Sequence, residues 1–504
     1  CHPVMIVTQE PYLKMFHNEA GVFDLKALLP ILAGESFVNP MPRLHEGNLR
    51  VIFYTSGSTG RPKGVMEIYH KDDPASASDR KGESVRGPVL QVTSTDRMLV
   101  KCPMSFAPFL WELLSPLSAG GTAIFAATGG EQDFSYLIKL MTNEAVTISH
   151  FVPSSLRILL DQPEIRRCLS LASVCCSGEN LPDALRELFF LKLNADIFLT
   201  YAATEAPGAT WVHLHRNNFR ELMKLDQQKT AKVYVLDPSG AQVPGPRKGE
   251  LYVEASERVR GYFHQPGLTA EKFLPDPFRA VPGTRLYRTG DLGKIHTDGN
   301  FQVIGRTDQQ VKIRGFRVEL GEIESILRQH PGVQDVAILC RDDSMGNKQL
   351  IGYIQTKSGE SLDASLLATY LSGHLPDYMV PTLYQFLAYF PLTANGKVDR
   401  KSLPDFVPDD FTRATGYVAP RNMLEETLVE IWQELLNRDR IGIYDNFFGL
   451  GGHSLLATQV MARLRQILDF DLSHRLIFDH PTIAQLGGEI HNLLDQVISN
   501  SESD

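Results

Sequence analysis

Residues 48–65 read NLRVIFYTSGSTGRPKGV: an apolar, β-rich run ends at Thr55 and passes into a loop of glycines and hydroxyl side chains that closes on Lys63. The run predicts a strand, and the loop carries turn residues throughout. Glycines let a backbone approach phosphate oxygens closely, and successive N–H groups with a lysine supply the field those oxygens need. Lys63 is followed by Gly64, so the loop is not the GxxxxGK[ST] pattern of P-loop nucleotide-binding proteins. Taken alone, it reads first as a polar surface turn behind a buried strand.

Outward from this loop, apolar segments at 97–103, 121–126, 171–176 and 195–200 alternate with helix-like stretches such as 132–142 and 153–160. Strands separated by helical crossovers predict a largely parallel sheet. Residues 232–238 and 247–254 read as short strands around a turn, a more barrel-like region, and 309–404 as a compact α+β unit. Beyond a Pro-, Asp- and aromatic-rich stretch, NMLEETLVEIWQELLN puts Leu424, Leu428, Ile431 and Leu435 on one side of a helix. Two more helices, through SLLATQVMARLRQIL and from about PTIAQLGGEIHNLL, complete a predicted small bundle.

The chain has 504 residues, 43% of them apolar, which is more than one average domain. Fifty Lys+Arg against 59 Asp+Glu leave a formal charge of −9, which implies no general polyanion-binding surface and argues against a nucleic-acid partner. Residues 421–504 carry 6 Arg, no Lys and 13 Asp+Glu, a net −7, so the tail reads as a separate acidic unit. Six cysteines without a CxxC spacing suit a reducing, cytoplasmic setting. The first residues have no signal-peptide pattern, and no apolar run approaches the roughly 18 residues of a spanning helix. A soluble protein with no membrane partner is expected.

YTSGSTGRPKGV resembles the phosphate loop of adenylate-forming enzymes, specifically of nonribosomal peptide synthetase adenylation domains. Four stretches follow in that family's order: YAATE (201–205), YRTGDLG (287–293), GRTDQQVKIRGFRVELGEIE (305–324) and NGKVDR (395–400). DNFFGLGGHSL (445–455) then resembles the phosphopantetheine attachment motif of a peptidyl carrier protein. The resemblance implies an α/β large domain over 1–305, expected to lack its first strand-helix portion, an α+β subdomain over 306–404, a linker at 405–419 and a helical-bundle carrier domain over 420–495. It implies ATP, Mg²⁺ and 4'-phosphopantetheine as cofactors. The implied partners are an amino or other carboxylic acid, a phosphopantetheinyl transferase, and neighbouring condensation or other synthetase modules.

Residue by residue, the resemblance places Thr55, Ser56, Gly57, Ser58, Thr59, Gly60 and Lys63 on the β- and γ-phosphates. Thr204 contacts AMP, Glu205 helps hold Mg²⁺, and Asp291 and Arg306 face the ribose. Lys397 bridges the acid carboxylate and the AMP oxygens, Asp308 is the hinge, and Gly315 lies in the loop presented for thioester formation. Ser454 anchors the pantetheine arm. Ala107, Pro108, Trp111, His150, Cys175, Ser177, Thr200, Gly208 and Ala209 line the acid pocket. Ala107 stands where most relatives that activate α-amino acids have an aspartate pairing with the ammonium; an unpaired ammonium in a pocket costs several kcal/mol. The reading therefore leans to an acid without an α-ammonium, such as a hydroxy, keto, β-amino or aryl acid. Residues 67–95, 212–230 and 255–263 depart from the family's pattern, which keeps open a truncated or degenerate module whose carrier domain alone is still pantetheinylated.

Overall fold

The computed structural model describes residues 5–16, 21–35, 45–57, 62–69, 85–86, 90–216, 231–279, 281, 283–296, 301–308, 310–313, 315–342, 348–357, 362–392, 398–405, 417–436, 438–445, 447, 450, 452, 454–468, 470, 472 and 476–501. Cys1–His45 and Glu46–Asp504 form two compact units. In the first, strands Ile6–Thr8 and Val22–Asp24 pair in parallel, and helix Leu25–Leu32 starts at Asp24, whose carboxylate accepts from the Lys26 N–H.

The second unit is organised by a six-stranded sheet. Its order is Ala206–Leu214, Asp196–Ala203, Ser173–Cys176, Ile148–Phe151, Arg97–Val100 and Thr122–Phe125. Every neighbouring pair is parallel except the first, an antiparallel edge formed by the chain turning back at Thr204–Glu205. Helices Ala107–Ser118, Phe134–Asn143, Pro153–Asp161 and Asp183–Lys192 supply crossovers. The apolar faces of the last three meet the strands in a core that includes Leu137, Met141, Phe151, Leu156, Phe189 and Ile197. Such a sheet opens its ligand crevice at the carboxyl ends of its strands. That is where His150, Cys175, Ser177 and Thr200 fall.

The barrel-like region is an antiparallel sheet of Val233–Leu236, Gly249–Glu254, Arg285–Ile295, Phe273–Pro275 and Phe301–Arg306. Leu49–Thr55 and Lys63–Ile68 pair antiparallel, with Val259–Tyr262 beside the latter. The α+β unit follows as hairpin Gln310–Ile313 and Phe316–Glu319, helix Leu320–Leu327, and a sheet of Val333–Asp342, Lys348–Thr356 and Leu383–Phe386, with Ala364–Ser372 packed on it.

At the carboxyl end stand helices Met423–Leu436, Ser454–Leu468 and Ile483–Ser501. Leu428, Ile431, Trp432, Val460, Leu464 and Ile490 share their core. The predicted apolar side of the first helix is confirmed. A four-residue helix, Leu476–Asp479, was not anticipated, because so short a turn leaves no periodic signal. Among the described residues no helix is long and apolar enough to cross a membrane.

Candidate active site

One cavity of about 590 Å³ is lined by segments far apart in the chain: Thr55 and Ser56, Ala107, Pro108, Leu110 and Trp111, His150, Cys175 and Ser177, Thr200 to Thr204, Asp291, Arg306, and Gly315 with Arg317. Strand pairing brings the nucleotide-side residues together. Asp291 and Arg306 are register partners on adjacent antiparallel strands, and Arg306 donates to Asp291. The Tyr201 hydroxyl donates to the other oxygen of Asp291. Arg306 also grips Asp308 with two hydrogen bonds of 2.7 and 2.8 Å, so the expected hinge residue is tied to the expected ribose contact. Thr55 Oγ1 is buried on the cavity wall without a hydrogen-bond partner. Such an orphan hydroxyl fits a site built for a ligand with acceptor oxygens, as a nucleotide has. Ser58, Thr59 and Gly60 lie outside the described residues.

Glu205 is wholly buried in the turn after Ala203. Its Oε1 accepts from the Tyr262 hydroxyl at 2.8 Å and lies 3.3 Å from Lys63 Nζ; its Oε2 accepts from Arg317 Nη1 at 2.8 Å. Burial alone would raise this carboxyl, but the charges of Arg317 and Lys63 and the Tyr262 hydrogen bond outweigh it and hold the group down at about 2. Burial, then the charge of Arg317, lowers the Lys63 ammonium in turn, although Glu205 pulls the other way. With both oxygens occupied and two cations beside it, Glu205 does not fit a Mg²⁺ ion in this arrangement; Arg317 and Lys63 already supply the positive charge.

Glu205→Gln strands those two cations, and breaking a buried pair from one side costs about 3–5 kcal/mol. The expected result is a lower urea midpoint than wild type, with the gap narrowing in acid. A folded-state value below the ordinary 4.5 contributes stability present above about pH 4.5 and lost as the pH falls toward 2. Equal midpoints at neutral pH would refute the pairing.

Arg317 reaches Glu205 because the hairpin Gln310–Glu319 of the α+β unit docks on the large domain. Gly315 N–H donates to Glu179 Oε1 at 2.7 Å, and Glu179 also accepts from the Ser154 N–H, so one carboxylate ties both loops. Ser56 Oγ donates to the Arg317 carbonyl at 2.8 Å. Phe316 packs edge-on to Phe106 at 4.8 Å and stacks on Tyr378 at 3.9 Å. Lys397 lies outside the described residues. Its neighbour Val398 packs with Ala337, Ile351, Tyr353 and Phe390, none of which lines the cavity, while Arg400 pairs with Glu324. The hairpin around Gly315, rather than the segment after Lys397, meets the cavity in this arrangement.

Ala107, Pro108, Trp111, His150, Cys175, Ser177 and Thr200 all line the cavity. Gly208 and Ala209 lie in strand Ala206–Leu214. Trp211 completes the wall, 6.4 Å ring to ring from Trp111, and its Nε1 and Thr200 Oγ1 are buried without partners. Reading the sequence assigned no role to Glu179, Arg317 or Trp211. Arg317 stands inside the quoted GFRVE motif, whereas Trp211 enters only because it is the register partner of Thr200. Ser454 is the first residue of helix Ser454–Leu468, where free N–H groups and the helix dipole suit an anionic phosphodiester. Arg465 on that helix donates to Asp133 of the large domain at 2.9 Å.

Residues 6–263 match the profile of the AMP-binding enzyme family, 322–397 the AMP-binding enzyme C-terminal domain, and 426–490 the phosphopantetheine attachment site. Malpinin synthetase of Mortierella alpina is 39% identical over 470 residues, 91% of this chain and 6% of that protein. A dimodular nonribosomal peptide synthase of Bacillus subtilis (strain 168) is 37% identical over 460 residues, 87% of this chain and 18% of that protein. The chain thus spans less than a fifth of the length of either relative. In fold it is similar to a holo nonribosomal peptide synthetase protein containing adenylation and PCP domains, bound to a vinylsulfonamide inhibitor. That likeness has a TM-score of 0.72 at 24% identity and covers 96% of this chain and 81% of that one. Adenylate-forming domains use ATP and Mg²⁺, and phosphopantetheine-binding domains carry 4'-phosphopantetheine. The chain belongs to the AMP-binding enzyme family, in the arrangement of adenylation domain followed by phosphopantetheine carrier that nonribosomal peptide synthetases use.

Proposed function

We propose that this chain activates a carboxylic acid with ATP as its acyl-adenylate, releasing pyrophosphate, and passes the acyl group to a pantetheine thiol anchored at Ser454, forming a thioester and releasing AMP. The observation that carries this reading is the single cavity in which Thr55, Thr204, Asp291, Arg306 and the acid-lining residues meet. Asp291 and Arg306 orient the nucleotide, and holding acid and phosphate together turns a bimolecular step into a positioned one. The arm, once attached, supplies the thiol that accepts the acyl group. Lys397 serves the first step and the Gly315 hairpin the second, with Asp308 as the hinge between the two arrangements. The domains run 1–305, 306–404 and 420–495, joined by the linker 405–419, and neighbouring synthetase modules and a phosphopantetheinyl transferase are the partners. A degenerate module is not favoured, because such a module has no reason to keep these side chains converging on one cavity.

The acid lacks an α-ammonium. Ala107 puts a methyl group where a carboxylate is needed to pair with it, and Trp211 Nε1–H and Thr200 Oγ1 are unpartnered groups that an oxygen-bearing acid satisfies. Pyrophosphate exchange with matched acids, leucine against its 2-hydroxy and 2-oxo counterparts, isolates the ammonium at constant side chain. Faster exchange with the 2-hydroxy or 2-oxo acid is expected; a clear preference for the amino acid across such pairs would overturn the assignment. Intact-mass analysis after pantetheinylation, with ATP, Mg²⁺ and an acid library, tests the overall reading. A pantetheinylated protein that acquires no acyl mass from any acid would sink it.

A further inference from the structure

Three side chains of metal-binding type meet beside the acid pocket, which His150 lines and the other two do not. Cys102 follows strand Arg97–Val100, Glu112 is wholly buried on helix Ala107–Ser118, and His150 sits in strand Ile148–Phe151. His150 Nδ1 lies 3.3 Å from Glu112 Oε1 and 3.7 Å from Cys102 Sγ, and the three ligand atoms all lie within 4.8 Å of one another. A tetrahedral zinc ion, with Zn–S of about 2.3 Å and Zn–N and Zn–O of about 2.1 Å, separates its N and O ligands by about 3.4 Å and its S and N ligands by about 3.6 Å. The side chains already stand at those separations.

The outer atoms of the cluster are held in place. Glu112 Oε2 accepts from the backbone N–H groups of Lys101 and Cys102 at 2.8 and 2.9 Å, and His150 Nε2 shares a 2.7 Å hydrogen bond with Ser177 Oγ. Metal ligands are oriented by outer partners of this kind. Glu112 Oε1, by contrast, has no aligned hydrogen-bond partner although it is buried. The ring has two tautomers: Nδ1–H points its proton toward Glu112 Oε1 while Nε2 accepts from the Ser177 hydroxyl, or Nε2–H donates to Ser177 and Nδ1 turns a lone pair toward Glu112 Oε1 across 3.3 Å. The second is the metal-binding form, in which a cation sits between two acceptors. One carboxylate and one thiolate also neutralise a doubly charged ion, which suits a buried site.

We propose that Cys102, Glu112 and His150 bind one zinc-class divalent cation beside the acid pocket, with water in the fourth position. The Cys102 thiol gives its proton to solvent on binding, as thiolate ligands do. Ser177 is a positioning residue that acts through His150. The site shares no residue with the nucleotide end of the cavity, and it stands whether or not the chain makes an adenylate.

The test takes the full chain, chelator-treated and desalted, without nucleotide. Zn²⁺ is titrated against a chromophoric chelator, and Co²⁺ is followed by absorption. One equivalent should bind, with a thiolate-to-Co²⁺ charge-transfer band in the near ultraviolet. Cys102→Ser should abolish the band, and His150→Ala should weaken binding beyond the limit of the competition assay. Ser177→Ala should keep the band and weaken binding by about 10–100-fold. Cys340→Ala, remote from the cluster, should change neither; circular dichroism of each variant reports folding. Absence of uptake by the folded protein would overturn the proposal in favour of a purely hydrogen-bonded Ser177–His150–Glu112 relay. Binding and band unchanged in folded Cys102→Ser would overturn it equally.

Discussion

Gly315→Ala is expected to slow acyl transfer to the carrier thiol by roughly tenfold to a hundredfold while leaving acid-dependent pyrophosphate exchange nearly unchanged. Gly315 has a φ of +80°, a region that L side chains disfavour, and a Cβ there would stand 2.3 Å from Val152 Cγ1 of the large domain. Val152 is β-branched and cannot easily turn aside. Across the contact, a Cβ on Gly178 would meet Gly315 Cα at 3.3 Å, so the two loops touch backbone to backbone. Overpacking of this kind costs about 1–3 kcal/mol, and each 1.4 kcal/mol is a factor of about ten in rate. The clash with Val152 falls only on the arrangement in which the hairpin is docked. Lys397→Ala should give the opposite pattern: pyrophosphate exchange suppressed, transfer from a supplied acyl-adenylate comparatively intact. The two variants measured side by side separate the half-reactions. Equal losses in both assays for both variants would show that one arrangement serves both steps.

Ser454→Ala is expected to abolish pantetheinylation altogether. A phosphopantetheinyl transferase with coenzyme A should add one arm to the wild-type chain, seen as a single step in intact mass, and none to the variant. The carrier bundle should survive the change. Its core rests on Leu428, Trp432, Phe447, Val460 and Leu464, each with 0% exposure. Unaltered circular dichroism with no mass step therefore locates the anchor, whereas modification of the alanine variant would place it elsewhere. Loss of the arm also removes acyl loading, while exchange, which needs only the cavity, should persist.

The sequence by itself determined the order of the motifs and the class of chemistry they carry, because each motif is local. A strand running into a glycine-rich loop, a TGD in a β-rich segment and a serine before an amphipathic run are all written within a dozen residues. Helical and strand periodicity likewise placed the crossovers at 132–142 and 153–160 and the three long carrier helices. Only the tertiary structure decided which of these pieces act together. Glu205 and Arg317 are 112 positions apart, Ser56 and the Arg317 carbonyl 261, and Cys102 and His150 48. No spacing rule reaches across such intervals; strand order and the docking of the Gly315 hairpin create those contacts. The expectation that Glu205 offers itself to Mg²⁺ follows from the YAATE motif alone. The structure sets against it two cations on the same carboxylate, since a charge with no exposure takes the partners that packing brings within reach.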